Sequence, residues 1–151
     1  MALVTIAEAD TFLSSSTVWD GLADAAKTTH IASATTFLNN LKWKGVIADY
    51  EQADSWPRTS VYDSERRYVD SDTIPELIKN ACAQLALKAA EGESLYPDYA
   101  SQKVKSKSVK GGSASVQTVW ESGSSEPQHK WPEIFALFTQ FLMPQNGIMR
   151  A

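Results

Sequence analysis

The sequence predicts a mainly α-helical protein, built as a small bundle of about four helices with a long ordered loop and a protruding β-hairpin arm. Apolar residues recur at three- and four-residue spacing in several segments, which is typical of amphipathic helices. One lysine-rich segment surrounds a Gly-Gly pair, which indicates a hairpin. The chain has 151 residues, enough for one hydrophobic core, so we treat residues 1–151 as a single domain.

Capping residues and apolar spacing predict the first two helices. Thr5 and Glu8 form a capping box that starts the first helix, and the serines from Ser14 onward end it. A longer second helix begins with Asp24 as its N-cap. Its apolar residues follow at helical spacing until Gly45 provides a C-terminal stop.

The third and fourth helices have equally clear boundaries. An alanine-rich third helix is expected after a second capping box, Thr73 with Glu76, and it ends at Gly92. The last helix begins near Pro132 and is stopped by Pro144. These assignments divide the chain into a helical body, residues 1–100, a hairpin arm, residues 103–120, and a C-terminal helix with a tail, residues 131–151.

The last helix carries more large apolar surface than a short helix usually buries by itself. Aromatic residues concentrate at protein interfaces as well as in cores. Core packing is the alternative interpretation. The aromatic candidates for a partner or subunit interface are Trp131, Phe135, Phe138 and Phe141.

Residues 46–73 read as a long loop, which is uncommon in a compact domain unless its own side chains pack it. We expect Trp56, Arg58 and Tyr62 to order this loop. The acidic pair Asp63 and Glu65 is interpreted as a solvated, turn-forming group.

The hairpin arm is the most distinctive polar feature, because four lysines lie within residues 103–110 of an acidic protein. A two-residue turn at Gly111-Gly112 would pair Lys107 with Val116. Three interpretations stay open: a charged edge strand that resists aggregation, a basic finger that docks on an acidic partner, or a single-strand-binding surface with lysines on phosphates. The candidate interface residues here are Lys103, Lys105, Lys107, Lys110, Val116 and Trp120.

Charge and residue types exclude several functions. Fourteen Lys and Arg against eighteen Asp and Glu give a net charge of −4, whereas proteins that coat duplex DNA are usually strongly basic. No apolar run approaches the roughly 18 residues that span a bilayer, so no membrane partner is expected. The single cysteine, Cys82, excludes an internal disulfide and a cysteine-based zinc site. The two histidines, His30 and His129, are far apart, so we expect no enzyme, no metal and no cofactor.

The order of these parts resembles the head-tail connector (adaptor) proteins of tailed bacteriophages, some of which are labelled DnaT-like single-strand-binding proteins. The most specific pieces are Trp56–Thr59 and Asp72–Glu76, followed by the Lys/Ser/Val hairpin and the final helix. The resemblance implies a structural virion protein of the neck, made in the host cytoplasm, which forms a ring, usually a dodecamer. Its partners would be other copies of itself, the portal protein, and a tail, stopper or tail-terminator protein, while genomic duplex DNA passes through the channel without specific binding. The alternative is a single-stranded-DNA-binding accessory protein of replication.

Overall fold

The protein is mainly α-helical, as the sequence predicts, and carries a two-stranded antiparallel hairpin. The computed structural model describes residues 2–96, 104–110, 115–120 and 130–144. The chain divides into two compact units. We call residues 1–96 together with 131–151 the body, and residues 97–130, which contain the hairpin, the second unit.

The described residues form five α-helices, one 3-10 turn and four strands. The helices are α1 (Ile6–Phe12), α2 (Thr17–Asp20), α3 (Asp24–Asn39), α4 (Glu76–Ala90) and α5 (Pro132–Phe138), which continues into the 3-10 turn Thr139–Phe141. The strands are β1 (Val46–Ile47), β2 (Arg58–Thr59), β3 (Val104–Lys110) and β4 (Ser115–Trp120). Strand β1 pairs with β2, and β3 pairs with β4, both in antiparallel orientation. No helix in the described ranges is both long and apolar enough to cross a membrane.

The capping box predicted for the first helix is confirmed. The backbone N–H of Glu8 donates to Thr5 Oγ1 at 3.3 Å, and the backbone N–H of Thr5 donates to Glu8 Oε2 at 2.9 Å. The second carboxylate oxygen of Glu8 accepts a hydrogen bond from Lys79 Nζ of α4 at 2.6 Å. These bonds, led by the one from Lys79, lower the pKa of Glu8 from 4.5 to about 2.

Several helix boundaries differ from the prediction. Helix α3 has Ala23 instead of Asp24 as its N-cap, and it ends at Asn39, before the predicted stop at Gly45. Helix α5 ends at Phe138, before the predicted stop at Pro144.

Helix α4 has Pro75 as its N-cap and no side-chain capping bond, so the predicted Thr73 box is absent, because Thr73 lies two residues before the cap position. The serines expected to end α1 also start a further short helix, α2. Ser16 Oγ caps this helix by accepting a hydrogen bond from the backbone N–H of Trp19 at 3.3 Å. The sequence did not predict α2 because four helical residues are too few to show an apolar period.

Helices α3 and α4 pack against each other at the centre of the body, and the rings of the C-terminal segment complete the core. Cys82 of α4 is fully buried beside the Thr35 hydroxyl of α3, with the two heteroatoms 3.7 Å apart. Burial raises the pKa of the Cys82 thiol to about 12. The residue is therefore a small apolar component of the core.

The aromatic residues expected at an interface lie in the core of the body. Exposure is 8% for Trp131, 5% for Phe135, 0% for Phe138 and 2% for Phe141. Their partner rings come from distant parts of the chain, because Phe138 contacts Trp43 with ring centroids 5.4 Å apart. Burial removes the surplus apolar surface on which the interface prediction for these four residues was based.

Backbone and side-chain hydrogen bonds fix the C-terminal segment to the chain that follows α3. The backbone N–H of Lys44 donates to the Phe141 carbonyl at 2.8 Å, and the backbone N–H of Met143 donates to the Lys42 carbonyl at 2.9 Å. Lys44 Nζ also donates to the Gln140 carbonyl at 2.7 Å. The 3-10 turn is therefore held in place next to the long loop.

The long loop predicted at residues 46–73 is ordered by the short β1–β2 pair and by side chains. The Arg58 guanidinium donates to the carbonyl oxygens of Lys44, Gly45 and Ser55 at 2.8, 2.8 and 3.0 Å. Trp56 is buried, with its ring centroid 5.6 Å from that of Trp43. Trp56 and Arg58 thus make contacts of the kind expected from residues that order the loop.

Candidate nucleic-acid interface

The backbone pairing of the lysine hairpin, β3 with β4, differs from the predicted register. Lys107 pairs with Thr118 instead of Val116, and Lys110 pairs with Ser115. The pairing starts at Lys110 and Ser115, so four residues connect the strands instead of the expected two-residue turn. This longer connection moves the β4 partners of residues 106–110 by two positions, and it moves the partner of Val104 by one. The turn residues Gly111 and Gly112 themselves lie outside the described residues.

The remaining predicted hairpin residues are placed by the same ladder. Val116 pairs with Val109, and Trp120 pairs with Val104. The register shifts between Val104 and Ser106, so Lys105 occupies the irregularity in the ladder. Such a bulge bends the strand and increases its twist. Lys103 lies outside the described residues.

A second feature, which we call the tyrosine loop, spans residues 61–69 of the body. Tyr62 and Tyr68 face each other across an isolated β-bridge, with ring centroids 5.7 Å apart and planes at 66°. Their exposure is 53% and 56%, so about half of each side chain remains open to solvent. Tyr62 was predicted to order the loop; its contact is with an exposed ring and not with the core.

The turn of the tyrosine loop is held by the Asp63 carboxylate. Asp63 Oδ1 accepts from the backbone N–H groups of Glu65 and Arg67 at 2.9 and 2.8 Å, and Oδ2 accepts from Arg67 Nε at 2.8 Å. These bonds, led by the one from the Arg67 backbone, hold the pKa of Asp63 below its usual range. The side-chain hydrogen bond to Asp63 in turn raises the pKa of Arg67. Asp63 is thus a turn-forming residue, as the sequence indicates.

The tyrosine loop is also anchored to the rest of the body. The backbone N–H of Val69 donates to the Val61 carbonyl at 2.9 Å, and Val61 is completely buried. The backbone N–H of Ser64 donates to Gln140 Oε1 of the 3-10 turn at 2.9 Å. The two tyrosines therefore project from a turn whose position is fixed at its base and at its tip.

Sequence reasoning did not identify Arg66 and Arg67 as functional candidates. Arg66 is exposed and has a φ of 63°, in the left-handed region that favours glycine. Arg67 pairs with Glu65 at 3.1 Å as well as with Asp63. The signal available in the sequence was the placement of two tyrosines around a short turn that contains two arginines.

An open cavity of about 360 Å³ lies beside the tyrosine loop. Its lining includes the carboxylates of Asp63, Glu65 and Asp70, with Arg67 as the cation among them. Such a lining disfavours a phosphate. In the part of the chain that the structure describes, no group of His, Cys, Asp and Glu could hold a metal ion.

The fold and these two surfaces define a mainly helical protein with a lysine-bearing β-ribbon and an exposed, rigid aromatic pair. The chain belongs to the family described as "Putative DnaT-like ssDNA binding protein", whose model matches residues 2–151. No curated protein and no solved structure matches the chain.

This family membership overturns the expectation of a head-tail connector. The matching family is described by single-stranded DNA binding, and nothing in it supports a connector. The predicted dodecameric ring, the portal, tail and stopper partners, and the passage of duplex DNA without specific binding are therefore wrong. The predicted virion location was based on the same resemblance and stays a prediction.

Proposed function

We propose that the protein binds single-stranded DNA as an accessory factor of replication, without catalysing a reaction. The family match over residues 2–151 supports this function. The structural observation that carries the proposal is the concentration of lysines in β3. This strand has three lysines in seven residues, although the protein as a whole has a net charge of −4. A β-ribbon keeps these cations on one extended backbone, along which a nucleic acid strand can run.

The physical basis is the release of counterions from the phosphates. Each lysine that neutralises a phosphate contributes about −0.7 to the slope of log K against log salt for a single strand. If Lys103, Lys105, Lys107 and Lys110 each contact one phosphate, the slope is about −2.8. The acidic remainder of the chain opposes any larger electrostatic contribution.

Fluorescence anisotropy with a labelled oligonucleotide of about 16 nucleotides tests this proposal. The double variant Lys105→Ala and Lys107→Ala should weaken binding and reduce the magnitude of the salt slope by about 1.4. A matched control, Lys42→Ala with Lys88→Ala, removes the same charge from the body. We expect the control to retain nearly the affinity of the unmodified protein, and we expect a duplex of the same sequence to compete poorly.

Two results would contradict the proposal. The first is an absence of binding at low salt, which would favour the interpretation of β3 as a charged edge strand that resists aggregation. The second is an equal loss of affinity in the hairpin variant and in the body control. That result would mean that net charge, and not the lysine hairpin, attracts the oligonucleotide.

A further inference from the structure

We infer that the tyrosine loop is a base-stacking site, at which Tyr62 and Tyr68 hold an unpaired base and Arg66 contacts the phosphate of the same nucleotide. The inference rests on the proposed function, because it names the part of the body that would contact the bases of the bound strand. Nothing in the description of the family assigns this role to a residue.

The exposure of the two rings is the first argument. Four tryptophans in the described residues, Trp19, Trp43, Trp56 and Trp131, are buried, whereas Tyr62 and Tyr68 remain about half exposed. The edge-to-face arrangement at 66° occupies one edge or face of each ring and leaves aromatic surface open. Base stacking on aromatic side chains is tolerant of sequence because every base has a π-face.

The rigidity of the turn is the second argument. Asp63 fixes the turn through three hydrogen bonds, and Gln140 holds its tip from the 3-10 turn. A site that is already ordered loses little conformational entropy when a ligand binds. The tyrosines are therefore positioned before a base arrives.

The conformation of Arg66 is the third argument. The backbone N–H of Arg66 donates to the Asp63 carbonyl, and the backbone N–H of Asp63 donates to the Arg67 carbonyl, which is the pattern of a three-residue hairpin loop. The last loop position of that pattern is left-handed and favours glycine, yet Arg66 occupies it at a φ of 63°. Arg67 forms ion pairs with Asp63 and Glu65, whereas Arg66 forms no ion pair within the described chain. Its exposed guanidinium can therefore contact a phosphate.

The acidic surroundings indicate which part of a nucleotide the loop contacts. Two carboxylates and two guanidinium groups lie within residues 61–69, so the loop carries no net positive charge. Attraction of phosphates by this loop is limited to Arg66, and the bases supply the remaining contact. Loss of a tyrosine should therefore lower affinity without changing the salt slope, in contrast to loss of a lysine from β3.

The test compares single variants in the same anisotropy assay. Tyr62→Ala and Tyr68→Ala should each weaken binding about 5- to 150-fold with an unchanged salt slope, the range that corresponds to loss of one stacked base. Tyr62→Phe and Tyr68→Phe should retain affinity, because stacking does not need the hydroxyl. Tyr50→Ala is the matched control, since Tyr50 is 92% exposed and lies outside the tyrosine loop.

Arg66→Gly separates a binding role from a structural one. Glycine accepts the left-handed conformation, so the variant should be at least as stable as the unmodified protein. Its affinity should fall, and the magnitude of its salt slope should decrease by about 0.7. Photo-crosslinking of an oligonucleotide that contains 5-iodouracil should also attach the strand to Tyr62 or Tyr68.

The outcomes separate this inference from the function on which it rests. If the unmodified protein binds the oligonucleotide and both alanine variants bind equally well, the stacking site is refuted and the proposed function stands. An equal loss of affinity in Tyr50→Ala also refutes it, because any exposed tyrosine would then have the same effect. If the unmodified protein does not bind at all, the proposed function itself fails.

Discussion

Replacing Phe138 with alanine measures how much the C-terminal helix contributes to the core of a single chain. The side chain is completely buried, and its ring centroid lies 5.0 Å from that of Phe135 and 5.4 Å from that of Trp43. Truncation of a buried phenylalanine costs about 3–5 kcal/mol. Trp43 Nε1 donates to the Leu38 carbonyl at 2.8 Å, so this neighbour cannot easily move into the cavity. We therefore expect a loss near the upper end, about 4–5 kcal/mol.

Urea denaturation followed by tryptophan fluorescence gives the free energy of unfolding. With a slope of about 2 kcal/mol/M, a loss of 4 kcal/mol lowers the midpoint by about 2 M. Phe138→Leu is the control, for which we expect a loss below about 1.5 kcal/mol. The midpoint should not change when the protein is diluted. The reasoning would be refuted if Phe138→Ala lowered the free energy of unfolding by less than about 1 kcal/mol, or if the loss depended on protein concentration. Either result would indicate that this ring lies at an interface between chains.

Three further predictions concern other buried or paired groups. Arg58→Lys should cost about 3 kcal/mol in urea denaturation, because an ammonium group keeps one of three carbonyl contacts, and a loss below 1 kcal/mol would contradict this. Glu8 has a pKa of about 2 when folded and 4.5 ordinarily, so its stabilisation is present above pH 4.5 and is lost as the pH falls towards 2. Glu8→Gln should therefore lower the free energy of unfolding by about 1 kcal/mol at neutral pH, and the variant should lose less stability than the unmodified protein below pH 4.5. An unchanged pH dependence below pH 4.5 would disprove this role. Cys82, with a pKa of about 12, should react with iodoacetamide at pH 8 only as fast as the native protein unfolds, and rapid labelling would show that the thiol is accessible.

The sequence predicted the helices where local signals act alone. The Thr5 capping box, the apolar spacing of α3 and α4, and the start of α5 at Pro132 all involve residues within one or two turns of each other. Local signals gave a wrong helix start where a neighbouring residue took the cap position, and they missed a helix that was too short. Pro75 takes the cap position that Thr73 was expected to serve, and four residues of α2 are too few to show a period.

The sequence around an apolar face does not show which residues cover that face. This explains why the last helix was expected to form an interface with another subunit. Periodicity shows that Phe138 and Phe141 lie on an apolar face, but it does not show what covers that face. The covering rings, Trp43 and Trp56, belong to the chain beyond α3, 95 and 85 residues before Phe138 and Phe141. Without that pairing, the face was interpreted as surplus apolar surface for contact with a second subunit.

The candidate site was only partly visible for a different reason. The net charge of −4 argues against a protein that coats duplex DNA, but it averages over surfaces that act separately. A strand with three lysines limits the electrostatic part of binding to a few phosphates, which gives a modest salt slope. A single-strand binder with so few cations needs a contribution that does not depend on charge, and stacking on aromatic rings is that contribution. In the function that we propose, the half-exposed pair Tyr62 and Tyr68 supplies this contribution, and salt titration of the tyrosine and lysine variants separates stacking from phosphate contacts.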